Sequence, residues 1–226
     1  MRRKQFRPLA LNQELGLGPA ERAAVLSAVS RETGERLDRY VDLLLHWQRQ
    51  TNLIAPSTVP QIWSRHVADS LGLWRVASAP KHWLDLGSGG GFPGVVLGIM
   101  NAERGGSVDL VESNGKKAAF LRAALDAADI RGQVHAARVE DCGALFENAE
   151  AVSARALASL ETLFSLVWRH LPPDIPCFFP KGRGHEQEIA EASAHWRFTM
   201  VKHQSDVENE AVILEIRDIS PVRDGG

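Results

Sequence analysis

Trp83-Leu84-Asp85-Leu86-Gly87-Ser88-Gly89-Gly90-Gly91-Phe92-Pro93-Gly94 is the stretch on which the fold turns. A short apolar run ends on an acid, five glycines fall within eight residues, and Val95-Val96-Leu97-Gly98-Ile99-Met100 follows as a helix-like segment. Physically this is a buried strand, a loop whose backbone can approach a ligand closely, and a helix opening onto that ligand. No Lys-Ser or Lys-Thr pair follows the last glycine, which excludes a triphosphate-binding loop. Gly89-x-Gly91-x-x-Gly94 matches the dinucleotide fingerprint. On the loop alone, a nicotinamide or flavin dinucleotide and S-adenosylmethionine are both compatible, since each places an adenosine ribose over the next strand.

The neighbouring strands narrow the choice. Val108-Asp109-Leu110-Val111-Glu112 reads as the second strand, and Glu112 at its end is placed to accept from both ribose hydroxyls. The alternative for Glu112 is a cap on the helix that follows at Ser113-Asn114-Gly115-Lys116. Gln133 to Arg138 reads as a third strand running into Val139-Glu140-Asp141. An apolar-acid pair there suits adenine, the acid accepting from its exocyclic amine, and a dinucleotide enzyme has no need of it. Asp85 before the loop suits the ammonium of methionine better than two phosphates. The cofactor favoured is S-adenosylmethionine.

Composition bounds the class. With 226 residues, 44% of them hydrophobic, the chain can bury one good core. A net charge of −2 gives no global basic signal, so any nucleic-acid contact must be local. Cys142 and Cys177 lie far apart with no metal-type spacing, as in a reducing compartment, and no metal is expected. No apolar run approaches membrane-spanning length, and the basic start Met1-Arg2-Arg3-Lys4-Gln5-Phe6-Arg7 leads into no hydrophobic signal region. The expected location is the cytoplasm.

Residues from about 19 to 75 read as helical. Pro19-Ala20-Glu21 opens one helix; Leu37, Tyr40, Val41, Leu44 and Trp47 stripe a second; a third covers Val59 to Leu73 with Ile62, Val67 and Leu71 inward. After Pro80, strands near 82–86, 107–112, 133–138, 149–153, 175–180, 198–203 and 210–217 alternate with helices near 94–103, 114–128, 159–170 and 184–195. Alternation of this kind implies a parallel, doubly wound α/β sheet. The last two strands have only Gln204 to Asn209 between them, so they pair as a hairpin and put one antiparallel strand in the sheet.

Seven strands with a terminal hairpin and a glycine loop after the first resemble the class I, Rossmann-like methyltransferase fold. Further segments sharpen the resemblance: Thr51-Asn52-Leu53-Ile54, Trp63 to Leu71, Glu112 to Lys117, Arg138-Val139-Glu140, Ser153-Ala154-Arg155-Ala156 and Pro180-Lys181-Gly182. Together with the glycine loop, in this order, they resemble the bacterial small-subunit ribosomal RNA (guanine-N7) methyltransferase G family, also known as glucose-inhibited division protein B, over residues 30 to 217. The resemblance implies residues 1–78 as an N-terminal helical extension packed on the core and 79–226 as the Rossmann-like methyltransferase domain, in one globular unit.

The resemblance also implies methyl transfer from S-adenosyl-L-methionine, leaving S-adenosyl-L-homocysteine, to N7 of one guanine in 16S rRNA, alone or in a small-subunit particle. It maps cofactor contacts onto Gly87, Gly89, Phe92, Val139, Glu140 and Arg155, with Glu112 at the ribose. A monomer is expected. Two departures stand out: Ala154 where the family often has serine before the arginine, and Gly90 where its loop often carries proline. Guanine N7 carries a lone pair and no proton, so it can attack the sulfonium methyl without a general base, and no catalytic residue is expected. Ser153-Ala154-Arg155-Ala156 is unlike the Asn/Asp-Pro-Pro-aromatic signature of amine methylation. Cys177 lies inside the apolar run Ile175 to Phe179 and reads as a buried strand thiol rather than a nucleophile.

Substrate candidates are Arg65, His66, Arg155, Lys181 and Arg183. Arg155 follows the fourth strand, where acceptor and cofactor meet in this fold; guanine O6, a phosphate, the methionine carboxylate and a structural carboxylate are all open as its partner. Lys181 and Arg183 follow the fifth strand and read as phosphate contacts or as solvated charges. Asn52, Arg65, His66 and Asp69 either line the site or hold the extension to the sheet, and Arg2, Arg3, Lys4 and Arg7 add a further basic set. The six tryptophans read as packing residues. A small-molecule methyltransferase and a dinucleotide-binding oxidoreductase are the alternative readings.

Overall fold

The computed structural model describes residues 17–205, 207 and 210–222, so the basic set Arg2, Arg3, Lys4 and Arg7 and the hairpin residues Asp206, Glu208 and Asn209 lie outside the described residues. Helix α1 (Pro19–Ser27) carries proline in its first turn, where a missing N–H costs nothing. Helix α2 (Arg31–Gln48) is capped by Ser30, whose hydroxyl accepts from the Thr33 N–H at 3.0 Å. Its stripe Leu37, Tyr40, Val41 and Leu44 is completely buried.

The segment expected as one helix over 59–73 is three elements. A 3-10 stretch (Pro56–Gln61) passes into a π-turn (Ile62–Val67) and only then into helix α3 (Ala68–Val76). Pro60 has no N–H to continue an α pattern, and the wider turn follows it, the Ala68 N–H donating to the Trp63 carbonyl. Ile62, Val67 and Leu71 nonetheless face inward.

Strands and helices then alternate: β1 (His82–Leu86), α4 (Gly94–Ala102), β2 (Ser107–Val111), α5 (Gly115–Ala127), β3 (Gly132–His135), β4 (Ala151–Ala154), α6 (Leu160–Val167), β5 (Cys177–Lys181), α7 (His185–His195), β6 (Trp196–Gln204) and β7 (Val212–Pro221). The sheet order is β3-β2-β1-β4-β5-β7-β6. All pairs from β3 to β5 are parallel; β7 enters antiparallel between β5 and β6, as the short connection before it requires. The strand order reverses at β1, between β2 and β4, and in open α/β sheets ligands bind beyond the strand ends at such a reversal.

The sheet is covered on both faces. One core joins α2, α4 and α5 through Leu37, Tyr40, Phe92, Val96 and Phe120, so the extension and the sheet share a continuous apolar cluster. The other joins Leu84, Val152, Phe164, Phe179 and Leu214. Trp63 and Trp83 are buried in the first of these. Tyr40 ties the extension to the glycine loop twice: its hydroxyl donates to the Gly90 carbonyl at 2.6 Å, and its ring meets Phe92 edge-on at 5.3 Å.

Candidate active site

Two cavities, each of about 640 Å³, open at the carboxyl ends of the central strands. The first is lined by Gly87, Gly89 and Phe92 of the glycine loop, by Glu112, by Val139 and Glu140, and by Arg155. It therefore brings together every residue onto which the family's cofactor contacts map. Gly87 sits at φ +65°, the left-handed conformation that favours glycine; a Cβ there would meet Leu157 Cδ1 at 2.6 Å, the tip of an exposed side chain that can turn aside. Gly90 approaches the extension instead: a Cβ would lie 2.9 Å from the Leu53 carbonyl oxygen. That carbonyl is placed by Gln48, whose side chain accepts from the Leu53 N–H at 2.9 Å and the Ile54 N–H at 3.1 Å and donates to the Ile54 carbonyl at 2.8 Å. Asn52 belongs to this turn, its side-chain oxygen 3.4 Å from Gln48 Nε2, and does not line either cavity.

Glu112 is 8% exposed and accepts two backbone donors, Gly89 N–H at 2.9 Å and Asn114 N–H at 2.7 Å. The cap of α5 is Asn114, whose side chain accepts from Lys116 and Lys117 N–H, so Glu112 is not the residue that satisfies the helix's first turn. Its carboxylate clasps the glycine loop to the end of β2 and still faces the cavity.

Asp85 corrects an expectation. It is fully buried and does not line the cavity, so it is not placed to meet an ammonium group there. One oxygen accepts from Ser153 Oγ at 2.6 Å, across the β1–β4 register; the other lies against Gly94 at the start of α4 without a fully formed hydrogen bond. Burial raises its pKa from 3.8 to about 6, opposed by the Ser153 and Ser88 hydroxyls, the Arg155 charge and the Gly94 amide.

The second cavity shares Thr58, His66, Arg155, Ala156, Leu157 and Ala158 with the first. Arg155 is the centre of this common wall. Its Nη2 donates to His66 Nδ1 at 2.9 Å, its Nη1 to Asp69 Oδ2 at 3.3 Å, and its guanidinium lies over Phe92 at 5.5 Å. Arginine only donates, so His66 Nδ1 carries the lone pair and Nε2 the proton, which goes to Thr58 Oγ1 at 2.9 Å. Burial, with the charges of Arg155 and Arg65, lowers the His66 pKa to about 3 and holds the ring neutral. The imidazole also stacks on Phe92 at 5.0 Å. Ala156 follows at φ +54°, a strained conformation for a residue with a side chain, at the point where the chain crosses from one cavity to the other.

The remaining basic candidates separate. Arg65 lines the second cavity. Lys181 also lines it, but its ammonium is committed to Glu188 at 2.6 Å and to the Ala158 carbonyl at 2.9 Å, which corrects its reading as a phosphate contact. Arg183 lies outside both cavities, 85% exposed and paired with Glu210 at 2.6 Å, a solvated surface charge. Cys177 is buried within β5, and burial raises its thiol pKa far above the ordinary range. Sequence reasoning passed over Thr58 and Leu157, which lack any distinguishing spacing, and left Asp69 without a partner.

The strand order, the glycine loop and the acid ending β2 define a class I, Rossmann-like S-adenosylmethionine-dependent methyltransferase. The model of one family within that class, rRNA small subunit methyltransferase G, matches residues 33–216, and the chain belongs to that family. Relatives named ribosomal RNA small subunit methyltransferase G include that of Rhizobium etli, 50% identical over 84% of this chain and 95% of its own length. The Sinorhizobium fredii protein of the same name is 46% identical over 91% of this chain and 98% of its own. Among solved structures, the O-methyltransferase of Bacillus cereus in complex with SAH shares the fold at a TM-score of 0.54 and 15% identity, covering 79% of this chain and 90% of its own. Among the described residues no helix is long and apolar enough to cross a membrane, and no group of three or more His, Cys, Asp or Glu side chains is placed to hold a metal ion.

Two outcomes are expected. Glu112→Ala should weaken binding of S-adenosylmethionine by about 1.5–3 kcal/mol, about 10- to 150-fold in Kd by calorimetry, through loss of a charge-assisted acceptor; unchanged affinity would make Glu112 only a clasp for the loop. Asp85 gives a pH signature. Below about pH 3.8 it is protonated folded or unfolded; between there and about 6 only the folded chain keeps the proton. Its contribution to stability is thus fully present at the acid end and lost as pH rises through about 6. Relative to Asp85→Asn, the wild type should lose about 2 kcal/mol of denaturation free energy from pH 4 to 7. Parallel pH profiles would contradict it.

Proposed function

We propose that the protein methylates N7 of a guanine in 16S rRNA, using S-adenosyl-L-methionine held in the first cavity and a base presented in the second. The observation that carries this reading is the common wall: two cavities of ligand size meet along His66, Arg155 and Leu157, so a donor in one and an acceptor in the other are brought face to face. The first cavity fits the donor chemically. Glu112 presents a carboxylate for ribose hydroxyls, Val139 and Glu140 present an apolar surface and an acceptor for adenine, and Phe92 and Leu157 present apolar surface near the wall. When bound, S-adenosylmethionine supplies an electrophilic methyl group: the N7–C bond forms as the S–C bond breaks, and S-adenosyl-L-homocysteine leaves.

N7 has no proton to remove, so the chain's residues act by holding and orienting rather than by proton transfer. This agrees with a site whose imidazole is held neutral by burial and whose cysteines are buried. Arg155, kept in place by His66 and Asp69, retains N–H groups for guanine O6. Arg65, exposed at the second cavity, is assigned to an RNA phosphate. A monomer is the working unit on this reading. Its place of action on this reading is the cytoplasm, with the small subunit or its rRNA as partner.

The test is transfer of labelled methyl groups to small-subunit rRNA, naked and as particles, from cells lacking this protein, followed by nucleoside analysis. Label in 7-methylguanosine is expected, and Cys177→Ser should retain at least about half the rate, because attack by N7 needs no covalent enzyme intermediate. Label in a C5-methylated pyrimidine, abolished by Cys177→Ser, would overturn the mechanism. Transfer only to small molecules would overturn the substrate.

A further inference from the structure

The second cavity presents a donor and an acceptor side by side: the Arg155 guanidinium and the Asp69 carboxylate, 3.3 Å apart. Their side chains are 18% and 19% exposed, so neither is sealed off from a ligand. Both line the cavity, and the pair is anchored from behind, Arg155 by His66 and His66 by Thr58. Resting on the reading of guanine N7 as acceptor, we propose that Asp69 reads the base as guanine: its carboxylate accepts from N1–H and the 2-amino group while Arg155 donates to O6.

Three lines of chemistry converge on this assignment. O6 and N1–H are adjacent on guanine as an acceptor and a donor, the complement of the Arg155–Asp69 pair. Adenine presents the reverse, an amino donor facing arginine and a bare N1 facing a carboxylate, so both contacts would turn repulsive. O6 also adjoins N7. With Arg155 on the wall shared by the two cavities, a base held through O6 and N1 keeps N7 on the side of the methyl donor. Finally, alkylation at N7 leaves the base cationic and strengthens N1–H as a donor. An arginine alone would oppose that charge; a carboxylate accepting from N1–H gains strength as it develops, which is stabilisation specific to the transition state. Asp69 thereby balances the cation that positions O6.

A cycle between residue and base tests this. Small-subunit rRNA is transcribed with guanosine or with inosine, which keeps O6, N1–H and N7 and lacks only the 2-amino group, and is offered naked and after reconstitution with ribosomal proteins. Any cost of inosine to RNA folding is common to both proteins and cancels. Asp69→Asn should lower kcat on guanosine RNA by about 100-fold with S-adenosylhomocysteine affinity unchanged. Inosine should cost the wild type about tenfold in kcat/KM and Asp69→Asn less than about threefold, because the single amide oxygen of asparagine, once it accepts from N1–H, leaves only the amide N–H2, a donor, facing the 2-amino group. An equal inosine penalty in the two proteins would overturn the assignment. Where Asp69→Asn transfers no measurable methyl, GMP and IMP are titrated by NMR against protein loaded with S-adenosylhomocysteine. Preference for GMP in the wild type that disappears in the variant upholds the assignment, and preference retained in the variant overturns it. Failure of wild-type protein to form 7-methylguanosine on guanosine RNA is a separate result, and it would overturn the acceptor reading itself.

Discussion

The ion pair and hydrogen bond that Arg155 makes with Asp69 and His66 join two parts of the chain that are 86 and 89 residues apart. Everything at the site is arranged around that junction. It fixes the end of β4 against the π-turn of the extension, puts Phe92 under the guanidinium, and defines the wall between the two cavities. A partly buried pair of this kind contributes little net stability, because desolvation offsets much of its Coulomb attraction. Its consequence is geometric: an arginine with two of its donors occupied by fixed partners has few orientations left for the rest. The neutral His66 is part of the same constraint, since a protonated ring would present a donor to a donor.

The helical extension is accordingly a component of the site rather than an addition to it. Tyr40 holds the Gly90 carbonyl, Gln48 shapes the turn that lies against Gly90, and Thr58, Arg65, His66 and Asp69 line the second cavity. The glycine at position 90, where the family often has proline, meets the Leu53 carbonyl across a gap that a Cβ would narrow to 2.9 Å. Both cavities are joint: Leu53, Ile54, Thr58 and His66 of the extension meet the strand ends in the first, and Arg65 and Asp69 meet the segments after β4 and β5 in the second.

Much of this was legible in the sequence. Strands β1, β2 and β5 lie where apolar runs end in an acid or a glycine, and the antiparallel β7 follows from a connection too short for a crossover. The glycine loop, Glu112 and Val139-Glu140 could be placed because each marks the carboxyl end of a recognisable strand. What escaped depends on contacts between distant segments. The run from Pro56 to Val67 has helical spacing, but Pro60 breaks the hydrogen-bond ladder and the chain winds tighter and then wider around it. Asp85 was assigned to the ligand because it precedes the loop. Strand alternation puts it on the face opposite Leu84 and Leu86, but both faces of the sheet are covered, and the facing Ser153 that accommodates it lies 68 residues on. Lys181 read as free because its partner Glu188 sits on the next helix. The pairing of Asp69 with Arg155 had no local signal at all.

The central claim is that the glycine loop and Glu112 form the floor of a methyl-donor site rather than a dinucleotide site. Parallel calorimetric titrations of the protein with S-adenosylmethionine and with NAD address it most directly. The account predicts binding of S-adenosylmethionine in the micromolar range or tighter and no measurable binding of NAD. Micromolar binding of NAD without binding of S-adenosylmethionine would contradict it.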